Sequence, residues 1–207
     1  MKRLFPLAVC TALTALIGTA HAQSQNMNFT GPAIGVSLSE ARNKVEYGGF
    51  LAGSESEKSH TVGRLDASYG FDLSPQWVLS VGATYDLDEI DFGRVTYVSG
   101  GTQTNDAKLK NHVAIYVAPG YRIARNWLAY GKFSWHSAKG EYNDTGTSAG
   151  TTTHDGTGIG VGVATAFTKQ IEGRFEVEQV NYSREARKLS TGKPKTSQAT
   201  FYVGYRF

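Results

Sequence analysis

The 207-residue chain carries 24 glycines, 11 tyrosines and 10 phenylalanines against 5 prolines and a single cysteine, with a formal net charge of +3. Near balance of charge removes any whole-protein case for nucleic acid, and one cysteine cannot make a disulfide framework. A negative mean hydropathy argues against a bundle of membrane helices but not against a barrel, in which only every second residue meets lipid.

Met1 to Ala22 reads as a secretory signal peptide. Lys2 and Arg3 form a basic start, Leu4 to Ile17 an apolar stretch, and Ala20-His21-Ala22 a small-x-small cleavage site. The apolar stretch falls short of the ~20 residues that a membrane-spanning helix needs. Val9 before Cys10 is a poor fit to a lipid-anchor signal. Cleavage leaves 23–207 as one all-β domain without cysteine, and losing Lys2 and Arg3 brings the charge to about +1.

From there the chain alternates with a period of two, the mark of strands that face two different surroundings. The first strand, Thr30 to Glu40, sets Ile34, Val36 and Leu38 against Ala33, Gly35, Ser37 and Ser39. The second, His60 to Phe71, sets Leu65, Ala67, Tyr69 and Phe71 against His60, Arg64, Asp66 and Ser68. The third, Trp77 to Leu87, sets Trp77, Leu79, Val81, Ala83 and Tyr85 against Ser80, Gly82, Thr84 and Asp86. In the fourth, Leu109 to Ile123, Val113, Ile115, Val117 and Tyr121 oppose Lys110, His112, Tyr116 and Arg122. In the fifth, Trp127 to His136, Trp127, Ala129, Phe133 and Trp135 oppose Tyr130, Lys132, Ser134 and His136.

The sixth strand alternates Thr157, Ile159, Val161 and Val163 with Gly156, Gly158, Gly160 and Gly162. The seventh places Ile171, Phe175 and Val177 against Glu172, Arg174, Glu176 and Glu178. The last gives Ala199, Phe201, Val203, Tyr205 and Phe207 one apolar face and Gln198, Thr200, Tyr202, Gly204 and Arg206 the other. Three connections are tight: 72–76, 124–126 and 168–170. Four are long and polar, near 41–59, 88–108, 137–155 and 183–195. Short turns on one side and long loops on the other predict an eight-stranded, up-and-down, antiparallel transmembrane β-barrel, its turns in the periplasm and its loops outside the cell. Phe71, Trp77, Trp127 and Phe167 fall beside the short turns, where an interfacial aromatic belt belongs.

The inward face collects Arg64, Asp66, Asp86, Lys110, Arg122, Lys132, Glu172, Arg174, Glu176, Glu178 and Arg206. Unpaired charges away from water cost several kcal/mol each, so mixed signs predict a luminal ion-pair network. In a barrel of eight strands it fills the space. The glycine column of the sixth strand leaves room for long side chains reaching from opposite strands.

Tyr69-Gly70-Phe71 before a turn and Trp77 after it, Ala118-Pro119-Gly120-Tyr121-Arg122 leading to Asn126-Trp127-Leu128-Ala129-Tyr130-Gly131-Lys132, Gly158-Ile159-Gly160-Val161-Gly162 and the final Tyr205-Arg206-Phe207 resemble the opacity-type family of small outer-membrane barrels, relatives of the OmpA/OmpX-type barrels. The resemblance covers about Gly31 to Phe207. It implies insertion by the outer-membrane assembly machinery, which reads a C-terminal aromatic strand, here Phe201, Val203, Tyr205 and Phe207. It further implies loop-borne functions such as adhesion or host-factor binding, with no shared activity.

Candidate chemistry is sparse. Ser134 and His136 share a face, but the order Ser-x-His differs from the His-x-Ser of lipid A deacylases, and Ser137 points to the other face. No enzyme activity and no cofactor is expected. His60, His112, His136 and His154 all face the lumen near its outer rim, which raises a pH-sensitive or metal-binding cluster against the plainer reading of separate, wet histidines. The loops hold Tyr47-Gly48-Gly49-Phe50-Leu51, and Val95-Thr96-Tyr97-Val98 as a sheet edge that could receive a partner. A basic run of Arg184, Arg187, Lys188, Lys193 and Lys195 is a candidate for lipopolysaccharide phosphates or sulfated sugars. The sequence therefore predicts a monomeric outer-membrane protein in contact with lipid and lipopolysaccharide, acting at the cell surface through its loops on a host or cell-surface ligand. The other readings are a narrow channel for ions or small solutes, an envelope-stabilising protein, and last a lipid A-modifying enzyme.

Overall fold

The computed structural model describes residues 28–49, 55–98, 102–144, 147–183, 185–186 and 190–207. The expected signal peptide, Met1 to Ala22, lies outside the described residues, as do Phe50, Leu51, Arg184, Arg187 and Lys188. Ten strands form: β1 Gly31–Gly49, β2 Glu55–Asp72, β3 Trp77–Asp86, β4 Ile90–Val98, β5 Thr102–Ala124, β6 Trp127–Asp144, β7 Thr147–Ala166, β8 Ile171–Tyr182, β9 Glu185–Ala186 and β10 Ser190–Arg206. Eight make the wall in the order β1-β2-β3-β5-β6-β7-β8-β10, every neighbour antiparallel. The sheet closes where β10 pairs with β1, from Ala33 opposite Arg206 to Gly49 opposite Ser190. Closure leaves those strands no free edge within the bilayer, the condition for a sheet to cross lipid. The short β9 hangs on β10, and β4 pairs with the start of β5, carrying the line of β3 past a break at Leu87 to Glu89.

The alternation follows the sequence reading strand by strand. Val36, Val161, Phe201 and Val203 are all more than half exposed on the lipid side, whereas Ser37, Tyr202 and Arg206 beside them are buried. Trp77, Trp127 and Phe167 stand exposed at the short-turn end, with Phe71 against Tyr69 at 4.6 Å between ring centres and Trp77 edge-on to Tyr121 at 5.2 Å. Two turns share one device: Ser74 Oγ accepts the Trp77 amide at 3.1 Å, and Thr168 Oγ1 accepts the Ile171 amide at 2.9 Å. Hydroxyls that cap their own turn are why serine and threonine recur there.

Three expectations need correction. The segments read as long loops are mostly strand: β1 runs on to Gly49, β5 begins at Thr102 and β6 reaches Asp144. Wall strands of 17 to 23 residues, such as β10 and β5, far exceed the ~9–11 residues that cross a membrane. Outward side chains turn polar above Leu38, Leu65 and Trp135, to Glu40 and Arg42, Thr61 and Ser59, Ser137 and Lys139. The barrel wall thus continues beyond the lipid as sheet.

The second correction is Lys110. A register shift lies between Lys110 and Val113, and Asn111 takes a φ of 52°. The extra residue turns Lys110 out of the lumen, opposite the exposed Lys139 and 2.9 Å from Glu89. Asparagine is among the few residues at ease in that left-handed region. Asn111→Val should therefore cost ~1–2 kcal/mol of unfolding free energy and Asn111→Gly almost nothing, read by urea titration of the refolded barrel.

The third concerns the glycine column, whose space is filled from neighbouring strands rather than opposite ones. An added Cβ would fall 2.2 Å from Ser134 Oγ at Gly158 and 2.5 Å from the Tyr130 ring at Gly162, both on adjacent β6, and 2.4 Å from Glu178 Oε1 on adjacent β8 at Gly158.

Candidate functional site

The lumen holds the polar side chains that alternation turns inward, stacked in layers from the periplasmic end upward. At the bottom an apolar stopper forms from Phe29, Val78, Leu128 and Ala164, all nearly inaccessible. Phe29 precedes β1 with a φ of 78°, and Gly70 is bare because an added Cβ would sit 2.0 Å from the Phe29 carbonyl oxygen. Arg122 belongs here and not to the central network. It donates to the carbonyls of Asn28, Ser74 and Pro75 and pairs with Asp72, so it ties the N-terminal segment to a turn. The sequence did not single these residues out as a stopper. Val78 and Leu128 were detectable as inward-parity apolar residues at strand starts, but Phe29 lies before the first period.

Above the stopper, Glu172 accepts Arg206 at 2.7 Å and Arg174 at 2.6 Å, one on each carboxylate oxygen. Arg174 also donates to Tyr116 at 3.2 Å and Ser68 at 3.0 Å, and its guanidinium lies 4.2 Å from the centre of the Tyr202 ring. Tyr116 in turn donates to Asp66 at 3.1 Å. The middle layer centres on Lys132, 2.6 Å from Glu176 and 3.1 Å from Glu178, with Tyr130 donating to Glu176. Between these layers lies a cavity of ≈ 20 Å³, room for about one water molecule.

The outer layer joins residues from six strands, β2, β3, β5, β6, β8 and β10. Arg64 clamps both oxygens of Asp86, at 2.6 and 3.3 Å, and donates to Gln198 at 2.8 Å. Gln198 donates to Glu178 at 2.7 Å. Asp86 Oδ2 lies 2.8 Å from His112 Nδ1, and His112 Nε2 lies 2.9 Å from His136 Nδ1. His136 Nε2 is 2.7 Å from Ser134 Oγ, which donates to Glu178. The two rings stack at 13°. Of the four rim histidines the structure therefore brings His112 and His136 together. His60 and His154 face inward from β2 and β7, and among the described residues no His, Cys, Asp or Glu group of three is arranged to hold a metal ion.

Ser134 and His136 do meet, yet both are buried, at 2% and 4% exposure, inside a filled lumen. Counting buried and half-buried charges of the three layers above the stopper, Arg64, Lys132, Arg174 and Arg206 face Asp66, Asp86, Glu172, Glu176 and Glu178. The carboxylates exceed the fixed cations by one. Each ion is held by at least one opposite partner, as burial demands.

The sequence profile of the outer membrane protein beta-barrel domain matches residues 9–207. Among solved structures, Neisserial surface protein A is 13% identical with a TM-score of 0.53, covering 86% of this chain and 98% of its own. Ail, the attachment invasion locus protein of Yersinia pestis, is 14% identical with a TM-score of 0.51, covering 86% of this chain and 100% of its own. At such identities the likeness is one of fold. No curated protein sequence matches the chain.

Proposed function

Because the chain belongs to the outer membrane protein β-barrel domain family and resides in the outer membrane, we propose that it is a surface-interaction protein whose barrel is a rigid, closed pedestal for its extracellular hairpins. The length of the wall carries this reading. Strands of 18 to 23 residues in β1, β2, β5, β6 and β7 hold a hydrogen-bonded sheet well above the lipid. A structure that only anchored in the bilayer would need half that length. Loops set on such a scaffold carry little ordering cost when they bind. The ion pairs that span the lumen support the same reading over a channel, since each charge is already held by an opposite partner. One structural neighbour is named for attachment and invasion, in keeping with the proposal, although that likeness extends to fold alone.

The test shortens the pedestal without disturbing the barrel. Lys44 lies opposite Glu57, and Lys139 opposite Thr153. Replacing 45–56 and 140–152 each by Asn-Gly therefore closes a two-residue hairpin in register. Cells displaying the full chain should adhere to an epithelial layer above vector background, and the shortened barrel should fall to that background while keeping its folded gel mobility. Equal adhesion by both barrels, or none by the full chain, would overturn the proposal.

A further inference from the structure

We infer that the His112–His136 pair is a proton-binding site: it holds one proton more than two neutral rings carry, and this proton latches the outer end of the luminal plug. Four contacts run in series from Asp86 to His112, His112 to His136, His136 to Ser134 and Ser134 to Glu178. Each needs one hydrogen between its heavy atoms. Two neutral imidazoles supply two and the serine hydroxyl supplies one, while ionised Asp86 and Glu178 supply none. Three hydrogens cannot serve four contacts.

The direction of each bond shows where the shortage falls. Asp86 accepts only, so His112 Nδ1 is a donor. Ser134 gives its hydrogen to Glu178, so His136 Nε2 is a donor too. With both rings neutral, the remaining nitrogens, His112 Nε2 and His136 Nδ1, would oppose two lone pairs at 2.9 Å. One added proton turns that repulsion into a hydrogen bond and makes one ring an imidazolium.

A separate observation agrees. The five luminal carboxylates exceed the four fixed cations by one, and a single imidazolium between Asp86 and Glu178 brings the plug to neutrality. The surroundings are polar on every packed strand: Arg64 on β2, Asp86 on β3, Lys132 and Ser134 on β6, Glu178 and Tyr182 on β8. Tyr182 Oη lies 3.4 Å from His112 Nε2. From β7 come Gly158, whose missing side chain leaves room for the rings, and the buried, inward-facing His154, two residues from Gly156, the partner of His136 in the ladder. Fixed neighbours of both signs cannot move away when the proton leaves, so its loss leaves one negative charge in excess and two facing lone pairs. The contact between β5 and β6 then loosens at the level where the barrel leaves the lipid.

The full chain, refolded in micelles with ¹⁵N-labelled histidine, gives the test through long-range ¹H–¹⁵N correlation, which separates doubly protonated rings from neutral tautomers. His60→Gln and His154→Gln, made singly, each remove one other inward signal and so identify the pair. At about pH 8, where a solvated imidazole with a reference pKa of about 6.5 is overwhelmingly neutral, one of the two rings should still carry both hydrogens. Two neutral rings in a folded barrel at that pH would overturn the inference. A second readout follows the unfolding temperature from about pH 7 to 9, a window in which solvated carboxylates are already ionised. Wild type should lose stability as the pH rises, since the folded state keeps a proton that the unfolded chain has already given up in that window. The His112→Gln/His136→Gln variant should show no such fall. A flat wild-type profile would refute the latch.

Discussion

Lys132→Met will destabilise the barrel by ~3–5 kcal/mol, the cost of leaving buried partners of an ion pair uncompensated. Methionine keeps most of the aliphatic volume, so the loss reports charge. Lys132 Nζ sits between Glu176 and Glu178, and the Glu178 side chain is fully buried. Lys132 Nζ also lies 4.9 Å from the centre of the Tyr116 ring, which adds a cation–π attraction that no neutral residue replaces. Adding Glu176→Gln to Lys132→Met removes one of the stranded charges and should restore ~1–3 kcal/mol, the non-additivity expected of groups in direct contact. Urea unfolding of the refolded protein, followed by the gel mobility of unheated samples, reads both. A Lys132→Met barrel within ~1 kcal/mol of wild type would mean that the central layer is wet and loosely held.

Gly158→Val should cost at least ~1–3 kcal/mol through overpacking, and it tests how tightly the plug is filled. Its Cβ would fall 2.2 Å from Ser134 Oγ, 2.4 Å from Glu178 Oε1 and 3.0 Å from His136 Nε2. These atoms belong to one hydrogen-bonded chain, so moving any of them breaks contacts elsewhere. Gly131 is the internal control, because an added Cβ there meets nothing within 4 Å. Gly131→Ala should be neutral or stabilising by up to ~1 kcal/mol, as alanine restricts the unfolded chain more than glycine does. Similar losses at both positions would show that glycine serves strand geometry in general and not the packing of the lumen.

The membrane-crossing part of the fold was legible because lipid and lumen differ so sharply. Ile34, Val36 and Leu38, or Ile159, Val161 and Val163, meet lipid while their neighbours meet ions, and a period of two records that contrast directly. Above the lipid the outward side chains turn polar, as Glu40 and Arg42 do, while inward Asn43 and Thr196 are polar and buried. The contrast in polarity vanishes there, and Ala41 to Gly49 or Ser137 to Asp144 read as loop although they remain strand. Lys110 was misplaced for a different reason: parity assumes an unbroken ladder, and the one extra residue at Asn111 inverts every assignment beyond it. Most of the luminal charges were identifiable by parity, but their partners were not. Pairing depends on stagger between strands, which sets Arg64 beside Asp86 and Lys132 beside Glu178. The meeting of His112 with His136, and the absence of such a meeting with His60 in the hydrogen bonds described, likewise follows from three-dimensional register that no single strand encodes.

The claim on which the rest depends is that the lumen is filled and the function lies outside it. Single-channel recording of the refolded full chain in a planar bilayer tests this most directly, with folding verified by gel mobility before and after boiling. The ion-paired plug predicts a silent bilayer for wild type at neutral pH. Steady, reproducible openings from a demonstrably folded barrel would contradict it and place the function in the lumen instead.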